Sequence, residues 1–337
     1  MRNLRYVAVR VLLLIPQMLV LTALVFVLVR ILPGDPVAAQ LGGAAPEESL
    51  EKLRKRLGLD KPIHVQYFEY MKGLLLRGDL GDSWRTAQPV MQDLKKRFPA
   101  TLELLGSGMA VAVGVGVSAG VITALRPGGL LDRAAVVYTL LAGAMPEFYI
   151  ALVLIFVFYA VLRIAPHPVA RLDVTVLPPP TVTGMYLVDS ALAGQRETFR
   201  SALAHLVLPV ATLSFWQAGA IMKMTRSTML QILDGDFTNY ARLMGVKTSI
   251  LRRYALRNAL PPIISLVVML FGVLLGATVL IEQVFAWGGL GQYSVISVTS
   301  ADYEAVVGFL MLTTTVSLVL YIFLDIAYVL IDPRLRL

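Results

Sequence analysis

KMTRSTMLQILDGDFTNYARLMGVKTSILRRYALRNALPP, residues Lys223 to Pro262, is a polar, basic interruption set between two apolar runs. It carries Lys223, Arg226, Arg242, Lys247, Arg252, Arg253 and Arg257 against only Asp234 and Asp236. On a membrane protein, a loop this rich in Lys and Arg is retained on the cytoplasmic side. Asp236 offers an N-cap to a helical pattern in which Phe237, Tyr240, Ala241 and Met244 form an apolar stripe, and Gly245 stops that helix. Ile250, Leu251, Tyr254 and Leu256 predict a second short helix that ends before Pro261 and Pro262. An amphipathic helix on such a loop needs a surface to lie against.

The composition around the loop sets the class. With 57% hydrophobic and 15% charged residues, the chain is an all-α polytopic membrane protein and not a pair of soluble domains. It has no cysteine, which excludes a disulfide framework, a cysteine metal site and a thiol nucleophile. The net charge of +8 raises the question of nucleic acid, but the charge is spread over loops at membrane interfaces, so no nucleic acid is expected as a partner and membrane lipid is.

Working outward, Arg2, Arg5 and Arg10 precede an apolar run from Val11 to Val29. The run exceeds the length of a signal-peptide core, so it reads as a first membrane helix with a cytoplasmic amino terminus. Residues 33–100 read as an external helical segment. PEESLEKLRKRLG, with Glu48 and Glu51 each four residues before a lysine and Gly58 as a stop, predicts one short helix. DKPIHVQYFEYMKG predicts another, with Asp60 as its cap, and GDLGDS predicts a turn. This segment is a solvated cap, or a cap that meets a substrate-delivery protein.

Further spans are expected at about 101–125, 134–162, 202–222, 263–286 and 303–331. The short loop holding Arg126 and Arg133 lies inside, the segment 163–200 with its Pro178-Pro179-Pro180 lies outside, and the outer loop WGGLGQYSVISVTSAD carries no Lys or Arg. The expected architecture is therefore six transmembrane helices with both termini cytoplasmic. Its parts are 1–32 (terminus and first helix), 33–100 (external segment) and 101–337 (a five-helix core with the loop 223–262). Gly114 and Gly116 mimic a dinucleotide-binding fingerprint, but no strand precedes them and close helix packing explains them. Pro209 inside the fourth span predicts a kink.

Catalytic chemistry finds no foothold. No GxxxxGK[ST] loop is present, so this chain does not hydrolyse ATP by the P-loop route. His64, His167 and His205 are scattered without metal-ligand spacing, and no GxSxG elbow occurs. No catalytic residue, metal or cofactor is assigned. Of the ionisable residues in the spans, Glu103 and Glu282 lie near ends, and only Asp325 approaches mid-depth; it reads as a packing or hydrogen-bonding residue.

DFTNYARLMG followed by LRNALPP resembles the coupling (EAA) loop of ATP-binding-cassette importer permeases. LPGDPV at Leu32 to Val37, GDLGDS at Gly78 to Ser83, TGMYLVDSALAG at Thr183 to Gly194 and DPRLR at Asp332 to Arg336 narrow the resemblance to the first membrane subunit of dipeptide and oligopeptide importers. The resemblance implies a prokaryotic inner-membrane permease that imports di- or oligopeptides. It also implies a second, related permease, two ATP-binding subunits that bind ATP and Mg, and an extracytoplasmic substrate-binding protein. Phe237, Tyr240, Ala241 and Met244 would supply the docked face, Gly245 the turn, and Asp236 and Arg242 its orientation. Asn239 stands where many such loops carry glutamate, Tyr240 replaces the first alanine, and the interval to LRNAL is one residue shorter. Oligosaccharide or nickel-chelate cargo belongs to the same machinery. An ATP-independent secondary transporter, the reading from another class, would need paired intramembrane charges or repeated broken spans.

Overall fold

The computed structural model describes residues 2–31, 36–41, 46–56 and 58–331, with side chains for these except 2–11, 13–15, 36, 39, 275 and 323–331. Leu32 to Asp35 of LPGDPV, the DPRLR segment and the side chain of Asp325 lie outside the described residues. In chain order the elements are α1 (Arg2–Ile31), α2 (Pro36–Leu41), α3 (Glu47–Arg56), α4 (Ile63–Arg77), β1 (Asp82–Ser83), β2 (Gln88–Pro89), α5 (Val90–Leu125), α6 (Leu130–Ala144) and α7 (Glu147–Leu154). They continue with α8 (Tyr186–Leu192), α9 (Arg196–Leu233), α10 (Asp236–Leu243), α11 (Thr248–Val284), α12 (Leu290–Thr299) and α13 (Tyr303–Ile331). Among the described residues four helices are long and apolar enough to cross a membrane, or five if the bent pair α6 and α7 is one span; the apolar stretch Pro16–Ile31 of α1 is shorter. The chain divides into two compact units.

One unit comprises residues 1–101 and 288–322. Phe26 of α1 is buried, its ring centroid 5.5 Å from Tyr67 and 5.6 Å from Tyr70 of α4. Arg30 lies 4.6 Å from the Phe26 ring centre and 3.5 Å from the Glu304 carboxylate. The expected α3 forms, with the Lys52 ammonium 2.6 Å from Glu48, and Gly58 takes a left-handed φ of 68° beyond it. The cap of α4 is Pro62, not Asp60, because proline holds the extended backbone of an N-cap and supplies the fixed entry angle itself. GDLGDS does turn: Asp79 Oδ1 accepts the Gly81 N–H at 2.9 Å, β1 pairs with β2 antiparallel, and Ser83 Oγ donates to Asp302 at 2.5 Å. Gly81 combines a φ of 84° with a site where a Cβ would stand 2.9 Å from Glu304 Cγ. The stretch expected as an outer loop, residues 287–302, contains the helix α12, whose Tyr293 is buried against the Arg97 guanidinium, 4.9 Å from the ring centre. Polar serines disguise this helix in the sequence: Ser294 and Ser297 donate to carbonyls three and four residues back, so helix hydrogen bonding satisfies them.

The other unit comprises residues 102–287 and 323–337, and is built on α9. Gly108, Gly116 and Gly120 of α5 lie against Leu213, Ile221 and Thr225 of α9, where an added Cβ would stand 3.1, 2.8 and 2.6 Å from the nearest atoms. All three pairs share one sequence separation, so the two helices run in the same direction. Small residues make this seam, as expected for close packing in a membrane, but Gly114 points into open space and takes no part. The span expected as one helix over 134–162 is two helices bent by 110°. The residue before a proline is pushed out of the helical region, and Met145 accordingly adopts φ −96°, ψ 132° ahead of Pro146. Beyond α7 the chain continues as a π-helical stretch to Val161. Pro209 does not interrupt α9, which is helical through it.

The motif TGMYLVDSALAG owes its residues to one buried carboxylate. Asp189 accepts the backbone N–H of Val182, Thr183 and Gly184 at 3.2, 2.8 and 2.8 Å and the Thr183 hydroxyl at 2.8 Å. Burial alone would raise its pKa, but these four donors hold the carboxyl below its usual value. Glu103 is an anchor for the same motif, accepting from Arg171 at 2.6 Å and from the Leu187 N–H at 2.7 Å, while Arg171 stacks 3.6 Å from the Tyr186 ring centre.

Candidate coupling site

The sequence places its candidate residues on α10 and the turn after it. Besides Arg242 and Gly245, residues that the sequence did not single out hold this helix. Its N-cap is Gly235, and Asp236 is its first helical residue with no side-chain cap bond; the carboxylate there complements the positive end of the helix dipole. Thr238, buried on the side away from the apolar stripe, donates its hydroxyl to Ile232 O at 2.7 Å and ties α10 to the end of α9. Asn239 Nδ2 donates to Asp234 O at 3.0 Å, and Arg242 donates to Asn239 Oδ1 at 3.2 Å. Arg242 therefore braces the helix through Asn239.

Gly245 closes the helix with a φ of 79°. The N–H of Val246 donates to Ala241 O and that of Gly245 to Arg242 O, both at 3.1 Å, the six-to-one closure that a left-handed residue beyond a helix end makes possible. Among the described residues nothing lies within 4 Å of where a Cβ would be, so glycine is required by backbone conformation and not by crowding.

Beyond Gly245 the chain departs from expectation. The second helix is not short: α11 runs unbroken from Thr248 through Pro261 and Pro262 to Val284, joining the loop and the apolar run after it in one helix. Its inner face is Leu251, Ala255 and Ala259, all buried, while Ile250 and Tyr254 stay outside. Tyr254 meets Phe237 with ring centroids 5.0 Å apart, which fixes α10 against the rod.

The remaining apolar face is left to solvent: Phe237 and Tyr240 are 63% exposed, Met244 68% and Leu243 86%. Ala241 lies half-buried behind them. Leu243 is an addition to the expected stripe; it follows Tyr240 by three residues, the spacing that puts two side chains on one helix face. On this helix and the segment after it Arg242, Lys247, Arg252, Arg253 and Arg257 are exposed, as is Lys223 on α9, whereas Arg226 is spent inside the unit, its guanidinium holding Asp132 in two hydrogen bonds of 2.5 and 2.9 Å. Asp132 in turn accepts the Gly128 N–H at 2.9 Å, closing the first turn of α6 beside the end of α9.

The histidines stand apart from this site. His167 packs edge-on to Tyr159, and the His205 ring shares a hydrogen bond of 2.8 Å with Ser201 O. Glu282 is buried and engaged within the fold. Among the described residues no three His, Asp or Glu side chains converge as a metal site would require.

Several long apolar helices define a multi-pass, helical membrane protein, and a basic loop on it presents an apolar helix face. Two family models cover nearly the whole chain: "Binding-prot-dependent transport system membrane comp, N-term" over residues 3–105, and "Binding-protein-dependent transport system inner membrane component" over residues 116–337. The chain belongs to this family of inner membrane components of binding-protein-dependent transport systems. It is 38% identical over 311 residues to a probable D,D-dipeptide transport system permease protein of Escherichia coli, covering 92% of this chain and 91% of the relative. It is 37% identical to a di/tripeptide transport system permease protein of Pseudomonas aeruginosa and 34% identical to a dipeptide transport system permease protein of Escherichia coli, each over 99% of both chains.

Proposed function

We propose that this chain is one permease subunit of an ATP-driven importer of di- and oligopeptides, with the exposed face of α10 seated in a cleft of a separate ATP-binding subunit. The observation that carries the reading is the exposed cluster Phe237, Tyr240, Leu243 and Met244 on a helix that is otherwise tied down by Thr238, Asn239 and the Gly245 turn. A large apolar patch with a polar rim marks a protein contact. Here the rim is basic, which favours an acidic surround on the partner.

The geometry supports a mechanical role. At 1.5 Å per residue the 37-residue α11 is about 55 Å long. A displacement imposed on α10 passes through one short turn into a rod that enters the bundle. Nucleotide shifts the bundle only to the extent that it binds the two conformations differently, so the link must be stiff. The bonds of Val246 and Gly245 to the end of α10, with the Phe237 and Tyr254 contact, supply that stiffness.

Peptide cargo is supported by the relatives, which are named as dipeptide and di/tripeptide permeases. In this reading six spans place both termini in the cytoplasm, a second related permease completes the pathway, two partner subunits bind ATP and Mg, and an external binding protein delivers the peptide. The test is affinity purification of the chain from its native membrane, comparing wild type with Tyr240→Asp. A P-loop ATPase should accompany the wild type and be depleted with the variant. Equal recovery from both, or none from an intact wild-type complex, refutes the docking.

A further inference from the structure

Outside the coupling site, α4 carries a second exposed apolar face. Its inner face is committed: Tyr67 Oη lies 2.9 Å from Thr22 Oγ1 and donates to Leu19 O at 3.0 Å, Met71 is buried beside Thr22, and Tyr70 reaches Met311 of α13 at 3.2 Å. These partners lie well inside apolar stretches, Leu19 to Phe26 in the run Pro16–Ile31 and Met311 in the candidate span Tyr303–Ile322. On the reading that α1 and α13 cross the membrane, a helix packed at that level has its opposite side at membrane depth and not in open water.

The opposite side fits that place. Phe68 is 76% exposed, Leu75 73% and Leu76 72%, an apolar strip on a helix expected only to cap the bundle. Lys72 stands within the strip, four residues after Phe68 and four before Leu76, and Arg77 follows at the end of the helix; with Glu69, Gly73 and Leu76 they line an open groove of about 540 Å³. Glu69 is paired with Lys61 at 2.6 Å, and among the described residues no ion pair engages Lys72 or Arg77. Long basic side chains beside an apolar strip lay their stems on hydrocarbon and raise their charges to the headgroups.

From this arrangement we infer that α4 lies in the outer leaflet, with Phe68, Leu75 and Leu76 among the acyl chains and Lys72 and Arg77 binding the phosphates of anionic phospholipid. This occupant follows from the depth set by the Thr22 and Met311 contacts and from the pairing of cations with an apolar strip. It also explains why the segment needs so apolar a helix.

The absence of native cysteine makes the test direct. Leu75→Cys, carrying a bimane fluorophore, is prepared in the complex in which the full chain purifies and placed in nanodiscs of brominated phosphatidylglycerol or brominated phosphatidylcholine. Val174→Cys, on an exposed loop residue, is the aqueous control. The expected result is quenching at 75 but not at 174, stronger with the anionic lipid. That preference should fall about fivefold per charge removed in Lys72→Gln and Arg77→Gln. These surface substitutions spare the packed face, and monodisperse elution checks the fold. Absence of quenching by either lipid places the face in water or under a protein and overturns the inference, and equal quenching by the two lipids overturns the headgroup assignment.

Discussion

Replacing Gly245 by leucine perturbs one backbone conformation and nothing else. The position has a φ of 79° and open space on its side-chain side, so no steric term adds to the conformational one. Holding an ordinary L-residue in the left-handed region costs about 1–2 kcal/mol. The stiffer unfolded chain gives back about 0.4–1 kcal/mol. A net penalty of roughly 0–1.6 kcal/mol, centred at about 0.8, lowers the population of the native turn relative to its competitors by about 4-fold at the centre and by about 15-fold at most. Asparagine reaches the same conformation with local hydrogen bonding, so Gly245→Asn should retain most activity. The family resemblance taken alone would suggest abolition of transport in Gly245→Leu; the open surroundings of the residue predict a graded loss. The assay is uptake of a labelled dipeptide in cells whose membrane content of each variant is matched, together with ATPase recovery in purification. The order glycine, asparagine, leucine should hold in both readouts while insertion stays constant. Transport unchanged in Gly245→Leu would refute the rigid-turn argument, and an equal collapse of both variants with loss of the protein from the membrane would show that Gly245 serves folding instead.

Gly116→Leu should destabilise the detergent-solubilised protein by about 1–3 kcal/mol or more through overpacking, because its Cβ would stand 2.8 Å from Ile221 Cβ and 2.9 Å from Ala218 O; Gly114→Ala, facing open space, should leave the melting temperature unchanged or raise it. Gln217 is fully buried in α9 and, among the described residues, neither amide atom has a hydrogen-bond partner, so Gln217→Met should raise thermal stability by about 1–3 kcal/mol, read as the melting temperature in detergent. Asp189, whose carboxyl is held below its usual value, contributes stability that is present above the unfolded carboxylate pKa near 3.9 and is lost as pH falls through the folded value. Hydrogen exchange in residues 182–194 should therefore accelerate as pH drops below about 4 beyond the intrinsic rate, and Asp189→Asn should show the faster exchange already at neutral pH.

Much of the fold is legible from residue order alone. Lengths of apolar sequence report membrane helices because every backbone group in hydrocarbon must be satisfied within its own segment. The basic loop, the stripe of α10 and the stop at Gly245 are local patterns, and they appear where the residues place them. The chemistry of Gly78 to Ser83 and of Thr183 to Gly194 stands out as motifs, but the reasons for it do not: the first turns beneath Glu304 and Asp302, the second wraps the Asp189 carboxylate against Glu103 and Arg171. Arg171 and Thr238 carry no local signal strong enough to single them out, since a lone arginine or threonine acquires its role from partners distant in the chain.

Local sequence also misjudges the prolines. Pro146 breaks a span, because Met145 before it goes extended, whereas Pro209, Pro261 and Pro262 are carried inside continuous helices. Proline removes one donor in every case, and whether the helix survives depends on the packing around it. Residue order determined the class, the family, the basic loop and the amphipathic helix within it; the class and the helix rest on hydropathy and periodicity, the family on the resemblance of its motifs. Tertiary structure alone decided which side of each helix is spent. Leu251, Ala255 and Thr238 turn inward while Phe237, Tyr240, Leu243 and Met244 are left free, and α4 buries Tyr67 and Met71 but offers Phe68 and Leu75 outward. An apolar stripe states only that something must cover it, and the identity of that cover is set by what the rest of the chain has already packed.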